Sequence, residues 1–156
     1  MHTKRHRKQM MKRRKPASKK YSRKTNTPNR CKHIKQNLIT KFMEMLNMIK
    51  IYHWNTHSFA QHKATDEIHS RISENVDKFV EVLLGKDESR LTQLNDKIRL
   101  IRSKNTTDFK KCIYEYRECM IGLSDCFDVR NDSDLLNIRD EILGDLNQLL
   151  YLFTLK

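Results

Sequence analysis

Between residues 53 and 81 the chain reads HWNTHSFAQHKATDEIHSRISENVDKFVE, with His53, His57 and His62 ahead of Asp66, Asp77 and Glu81. Imidazole and carboxylate together suit Fe(II), with Mn and Zn as competitors. On a helical wheel His62, Asp66, Asp77 and Glu81 fall at about 0°, 40°, 60° and 100° and so share one face. That face lies beside an apolar stripe of Ile68, Ile72, Val76, Phe79 and Leu83. Two readings compete for the pattern. It is either a set of metal ligands or the solvated face of a helix, to which Lys63, Glu74 and Lys78 also belong.

Helix geometry constrains the first reading. From residue 62 to 81 is roughly 28 Å along a helix, whereas ligands sit within about 2–2.5 Å of their ion. One helix cannot wrap these four residues around one centre. Their spacing is, however, symmetric about residues 71 and 72. If the helix crosses a copy of itself antiparallel there, His62 and Asp66 of one chain face Asp77 and Glu81 of the other, twice over. A twofold homodimer would then hold two equivalent mixed N/O sites about 22 Å apart. His53, at the end of the preceding helix, would add the remaining imidazole.

Long helices are what the rest of the sequence calls for. The 156 residues suffice for one domain, and only 3 Gly and 2 Pro leave little turn punctuation. Four apolar periodicities follow one another. The first runs over 34–55 on Leu38, Phe42, Met45, Ile49 and Tyr52, and the second over 59–85 on the stripe above, with Gly85 as its stop. The third covers 107–127 through Phe109, Cys112, Ile113, Tyr116, Met120, Leu123 and Phe127, capped by Thr106 or Thr107. The fourth covers 133–154 on Leu135, Ile138, Ile142, Leu146, Leu149 and Phe153. Between the second and third, Leu91, Leu94 and Ile98 suggest a short extra helix. Two helix pairs joined by one long crossover is the wiring of ferritin-like bundles. The expected fold is therefore all-α, a ferritin-like four-helix domain over residues 34–156.

The charge of +13 is unevenly placed. Residues 1–36 hold 15 of the 32 Lys and Arg and none of the 19 acids, so the remainder carries a net charge of −2. Residues 1–33 lack apolar periodicity and form a basic extended arm ahead of the domain. Its cations are Lys4, Arg5, Arg7, Lys8, Lys12, Arg13, Arg14, Lys15, Lys19, Lys20, Arg23 and Lys24. Such a run neutralises phosphates and binds nucleic acid non-specifically and salt-sensitively. It also reads as a nuclear localisation signal, as an arm threading between capsid subunits, or, less well, as a ligand for an acidic membrane surface.

The N-terminus lacks the apolar core of a secretory signal peptide, and no window of about 18 apolar residues could cross a membrane. Cys112, Cys119 and Cys126 recur every seven residues on one helical stripe, roughly 10 Å apart, too far for a mutual disulfide or a shared ion. They read, with Cys31, as thiols of a reducing compartment.

The spacing His62-x3-Asp66-x10-Asp77-x3-Glu81, preceded by His53-Trp54-Asn55, resembles the ferroxidase signature of the Dps proteins, DNA-binding mini-ferritins that detoxify iron with peroxide. That resemblance implies a di-iron site across a twofold interface, with His53, His62 and Asp66 from one subunit and Asp77 and Glu81 from the other. It also implies DNA binding through a basic tail. The segment from His53 to His62 departs from the Dps pattern. It is shorter, lacks the glycine found there, and carries His57 as an extra candidate ligand. YHWNTHSFAQHKATDEIHSRISENVDKFVEVLLGK and LLNIRDEILGDLNQLLYLFTL are similar to uncharacterised ferritin-like proteins of large double-stranded-DNA viruses. That likeness implies a viral context, in the virion or in the host cytoplasm or nucleus. The expected function is iron oxidation at the shared site with nucleic acid held by the arm. Its rival is a structural virion component that uses bundle and arm for assembly beside neighbouring capsid proteins, with a vestigial metal site. Trp54 reads as a packing aromatic, and His69 as a polar interface residue or accessory ligand.

Overall fold

The computed structural model describes residues 28–86, 88, 90 and 97–155, with side chains from Asn37 onward. The arm cations from Lys4 to Lys24 lie outside the described residues. Four helices follow: α1 (Pro28–Asn55), α2 (Phe59–Lys86), α3 (Thr106–Gly122) and α4 (Ser133–Leu152), with a short 3-10 turn at Leu123–Asp125. α1 begins before its apolar periodicity does, and proline at a first helical turn is suited to that position because its missing N–H would have no partner there.

All five expected stripe residues of α1, all five of α2 and all six of α4, counting Phe153 just past its end, are buried. On α3 Phe109, Ile113, Tyr116 and Met120 point inward, while Cys112 is only half-buried. These stripes make one core, whose largest fully buried side chains include Phe42, Phe79 and Phe109. α2 packs between α1 and α4, and α3 packs on α4.

Contacts at the two ends give the helix directions. At one end Tyr52, near the end of α1, stacks on Phe109 at 3.9 Å and lies 5.7 Å from Phe153. That end therefore gathers the end of α1, the start of α3 and the end of α4. At the other, Lys86 at the end of α2 pairs with Asp134 at 3.1 Å and Asp132 at 3.3 Å, at the start of α4. α1 and α4 thus run one way, and α2 and α3 the other. The connection from Lys86 to Thr106 must travel the length of the bundle, about 40 Å for a helix the size of α2. Part-way along, the Arg99 N–H donates to Glu44 on α1 at 3.4 Å. Glu44 is buried; burial raises its pKa, but the Lys41 ammonium at 2.7 Å and the Arg99 N–H outweigh this and hold it below its ordinary value.

Several local expectations need correction. The α3 cap is Asn105, whose side chain accepts the Asp108 N–H at 2.9 Å, and neither Thr106 nor Thr107. An amide side chain at that position reaches the free N–H two or three residues on, which is what a cap requires. α3 also stops at Gly122, with the last turn tightened into the 3-10 segment. There the buried Arg139 of α4 donates from Nη1 to the Met120 carbonyl at 2.9 Å and to Ser124 Oγ at 2.8 Å. Gly85 does not end α2, which runs on to Lys86; Glu88, at φ 46°, takes the left-handed turn instead. Residues 97–105, including Ile98, are not helical, and Leu91 and Leu94 lie outside the described residues. Cys112 and Cys119 are free thiols, as expected, but Cys126 is disulfide-bonded, so the expectation of reduced thiols throughout does not hold for it.

Candidate metal centre

The turn between α1 and α2 folds back so sharply that the last turn of α1 lies against the first turns of α2. His53 is buried there and His62 half-buried, with their rings stacked at 3.9 Å and 23°. Each imidazole is held by the other's backbone. His53 Nδ1 lies 3.0 Å from the His62 carbonyl, and His62 Nδ1 lies 3.1 Å from the His53 carbonyl. A carbonyl oxygen only accepts, so both Nδ1 atoms carry the proton. In the neutral rings both Nε2 atoms then keep a free lone pair, as in metal-ligating histidines whose second nitrogen is fixed by a backbone carbonyl. Thr65, fully buried, stands behind the pair. Its hydroxyl donates to the Gln61 and His62 carbonyls at 2.8 and 3.0 Å and lies 3.3 Å from His53 Nδ1.

Asp66 continues the group. Its Oδ1 is 3.8 Å from His53 Nε2, too far for a hydrogen bond. A lone pair on Nε2 and a carboxylate oxygen repel unless a cation, proton or metal, lies between them. Lys50 Nζ, 3.3 Å from the same oxygen, holds the Asp66 carboxyl below its ordinary range by hydrogen bond and charge. His69 lies one turn on and lines a shallow groove with Lys50, Asp66, Ser70 and Ser73. Burial, and then the Lys50 charge, lower its pKa, so it is neutral at neutral pH.

The structure therefore brings together His53, His62 and Asp66. It does not bring Asp77 and Glu81 to them: both are exposed on α2, and Asp77 is about 16 Å along the helix from Asp66. Among the described residues no group of three or more His, Cys, Asp or Glu is close enough to hold a metal ion within one chain. The donors present fit a divalent ion in type, and one chain is short of them in number. His57 stands apart in the exposed turn. Trp54 is 70% exposed and Phe59 78% exposed, flanking the turn as a bare aromatic pair. Sequence reasoning missed Thr65 and Lys50, which carry no motif of their own.

The model of a family of unknown function matches residues 53–153. The chain belongs to this family, DUF5856. The stretch that DUF5856 covers takes in all five candidate ligands and three of the four helices. No curated protein and no solved structure matches the chain.

Proposed function

We propose that this DUF5856 protein is a Dps-like, ferritin-fold protein that oxidises ferrous iron at a di-metal site shared across a twofold dimer. The observation that carries the reading is the reciprocal bonding of His53 and His62, which fixes both Nδ1 protons and leaves both Nε2 atoms free to act as ligands, that of His53 lying 3.8 Å from Asp66. The helix directions and the long crossover support it, being those of ferritin-like bundles. So does the α2 surface near the symmetry point, where Ser70 and Ser73 border a groove that a second α2 can approach.

Iron is the substrate of this reaction. A bound ferrous pair supplies two electrons to peroxide or O2. The chain's own part is to present ligands: His53, His62 and Asp66 from one subunit, and Asp77 and Glu81 from its partner. Metal binding requires the Lys50 ammonium to give up Asp66. The basic arm adds non-specific, salt-sensitive binding to nucleic acid. A structural virion role is the second reading; the Lys50–Asp66 ion pair favours it, because it neutralises the carboxylate without any metal.

Metal content after native purification, followed by the Fe(II) oxidation rate, separates the two. The Asp77→Ala/Glu81→Ala double variant should lose most of the oxidation rate, and an unchanged rate refutes the ferroxidase reading. Deleting residues 1–33 should abolish salt-sensitive retardation of DNA; retained binding would place the nucleic-acid site in the helical domain.

A further inference from the structure

At the end of the bundle where α1 turns into α2, a cavity of about 920 Å³ opens toward the residues that lead into α3. None of the proposed metal ligands lines it. Arg102, Lys104 and His57 do, and no aspartate or glutamate does. In a domain whose net charge is slightly negative, Arg102 and Lys104 make a local concentration of positive charge.

The floor of the cavity is a hydrogen-bond chain with a direction. Tyr52 Oη donates to Gln61 Oε1 at 2.8 Å, so the Thr106 hydroxyl, 2.9 Å away, must donate to Tyr52. Thr56 Oγ1 donates to the same Gln61 oxygen at 3.0 Å. With its oxygen occupied by two hydroxyls, Gln61 has two amide N–H groups left to offer. Asn105 is in the same position, since its oxygen accepts the Asp108 N–H as the α3 cap. Asn55 alone turns an acceptor outward, its N–H going to the Ile51 carbonyl. The first turns of α2 and α3 also begin at this wall and add partial positive charge, which the end of α1 at Asn55 offsets in part.

A cavity whose charges are all cationic and whose amides mostly offer donors selects an anion that accepts several hydrogen bonds at once. We propose that it binds a phosphate-class oxyanion, either free inorganic phosphate or the phosphate of a nucleotide-sized ligand. Its volume lies within the range of roughly 300–1,000 Å³ typical of small-molecule sites. The metal reading plays no part in this.

The test is isothermal titration calorimetry of the full chain at low ionic strength, with inorganic phosphate in one arm and adenosine monophosphate in the other. Wild type is compared with Arg102→Ser/Lys104→Ser, two exposed positions, and with Gln61→Glu, which places a carboxylate in the floor. Both variants keep the basic arm, so anions held by the arm contribute equally to all three titrations. Saturable binding weakened about tenfold or more in each variant is the expected result. Equal affinity for the two ligands identifies free phosphate, and tighter nucleotide binding identifies the larger ligand. The proposal is overturned if neither ligand saturates at millimolar concentration, or if the variants bind as wild type does.

Discussion

Replacing Arg139 with methionine isolates one interaction that ends α3. The side chain is buried, and its Nη1 donates to the Met120 carbonyl and to Ser124 Oγ. Methionine keeps the apolar stem's packing and removes only the donors. Ser124 is exposed, so its hydroxyl can turn to water, and Met120 O keeps the Leu123 N–H. The loss is therefore close to one hydrogen bond from a charged donor, about 2 kcal/mol. Relief of the buried guanidinium's desolvation offsets a part of that. For a domain of this size about 2 kcal/mol lowers Tm by roughly 8 °C. Thermal melts followed by circular dichroism at 222 nm measure it, with Asp140→Asn as the control. Asp140 is 62% exposed, and its Oδ1 lies 2.7 Å from an Arg139 Nε that is buried and makes no hydrogen bond, so its change should cost clearly less than Arg139→Met. An Arg139→Met protein as stable as wild type, or a control equally destabilised, would refute the assignment of Arg139 to the end of α3.

Tyr52→Phe removes the hydroxyl that links Gln61 to Thr106 while leaving the ring stacked on Phe109. It should cost about 1 kcal/mol in denaturant titrations. His69 gives a pH signature. Its pKa is lowered in the fold by burial, so the unfolded chain takes up a proton that the folded chain does not. Its contribution is complete above the ordinary value of 6.5 and is lost as pH falls below it. Melts from pH 7.5 to 5.5 should show a smaller decline for His69→Gln than for wild type, and parallel declines would contradict this. Asp66, its pKa depressed mainly by Lys50, acts in a separate window below 3.8.

How far the sequence reached follows from the range of each interaction. Apolar periodicity marks every buried stripe, because a helix that must bury one face repeats that face's residues at its own period. It also marks where α2 and α4 begin, beside turns of polar residues. The buried charges were not legible. Glu44 and Arg139 look like surface residues until Arg99 and the end of α3 are brought to them by the crossover and by α4. Gly85 misled because a helix stops where its last carbonyls find other partners, and the left-handed residue here is Glu88. At the site, spacing along α2 singled out His62 and Asp66 as candidates and showed that Asp77 and Glu81 could not join them in the same chain. The His53–His62 bonding depends on the shape of the turn between two helices, which no residue spacing encodes. Lys50, one turn before His53, was absent from the sequence-based site because a lysine suggests no ligand. It nonetheless sets the charge that any metal must displace.

The central claim is that ligands from two chains complete each site, and subunit mixing tests it most directly. One variant carries His53→Ala and His62→Ala, the other Asp77→Ala and Glu81→Ala. Each alone should bind no iron at the site. In a mixed dimer, one of the two sites takes its histidines from the acid-deficient chain and its acids from the histidine-deficient chain, and is intact. Random reassociation makes half the dimers mixed, so about a quarter of the wild-type iron binding and oxidation should return. No recovery on mixing, with dimers demonstrably exchanged, would contradict the shared site.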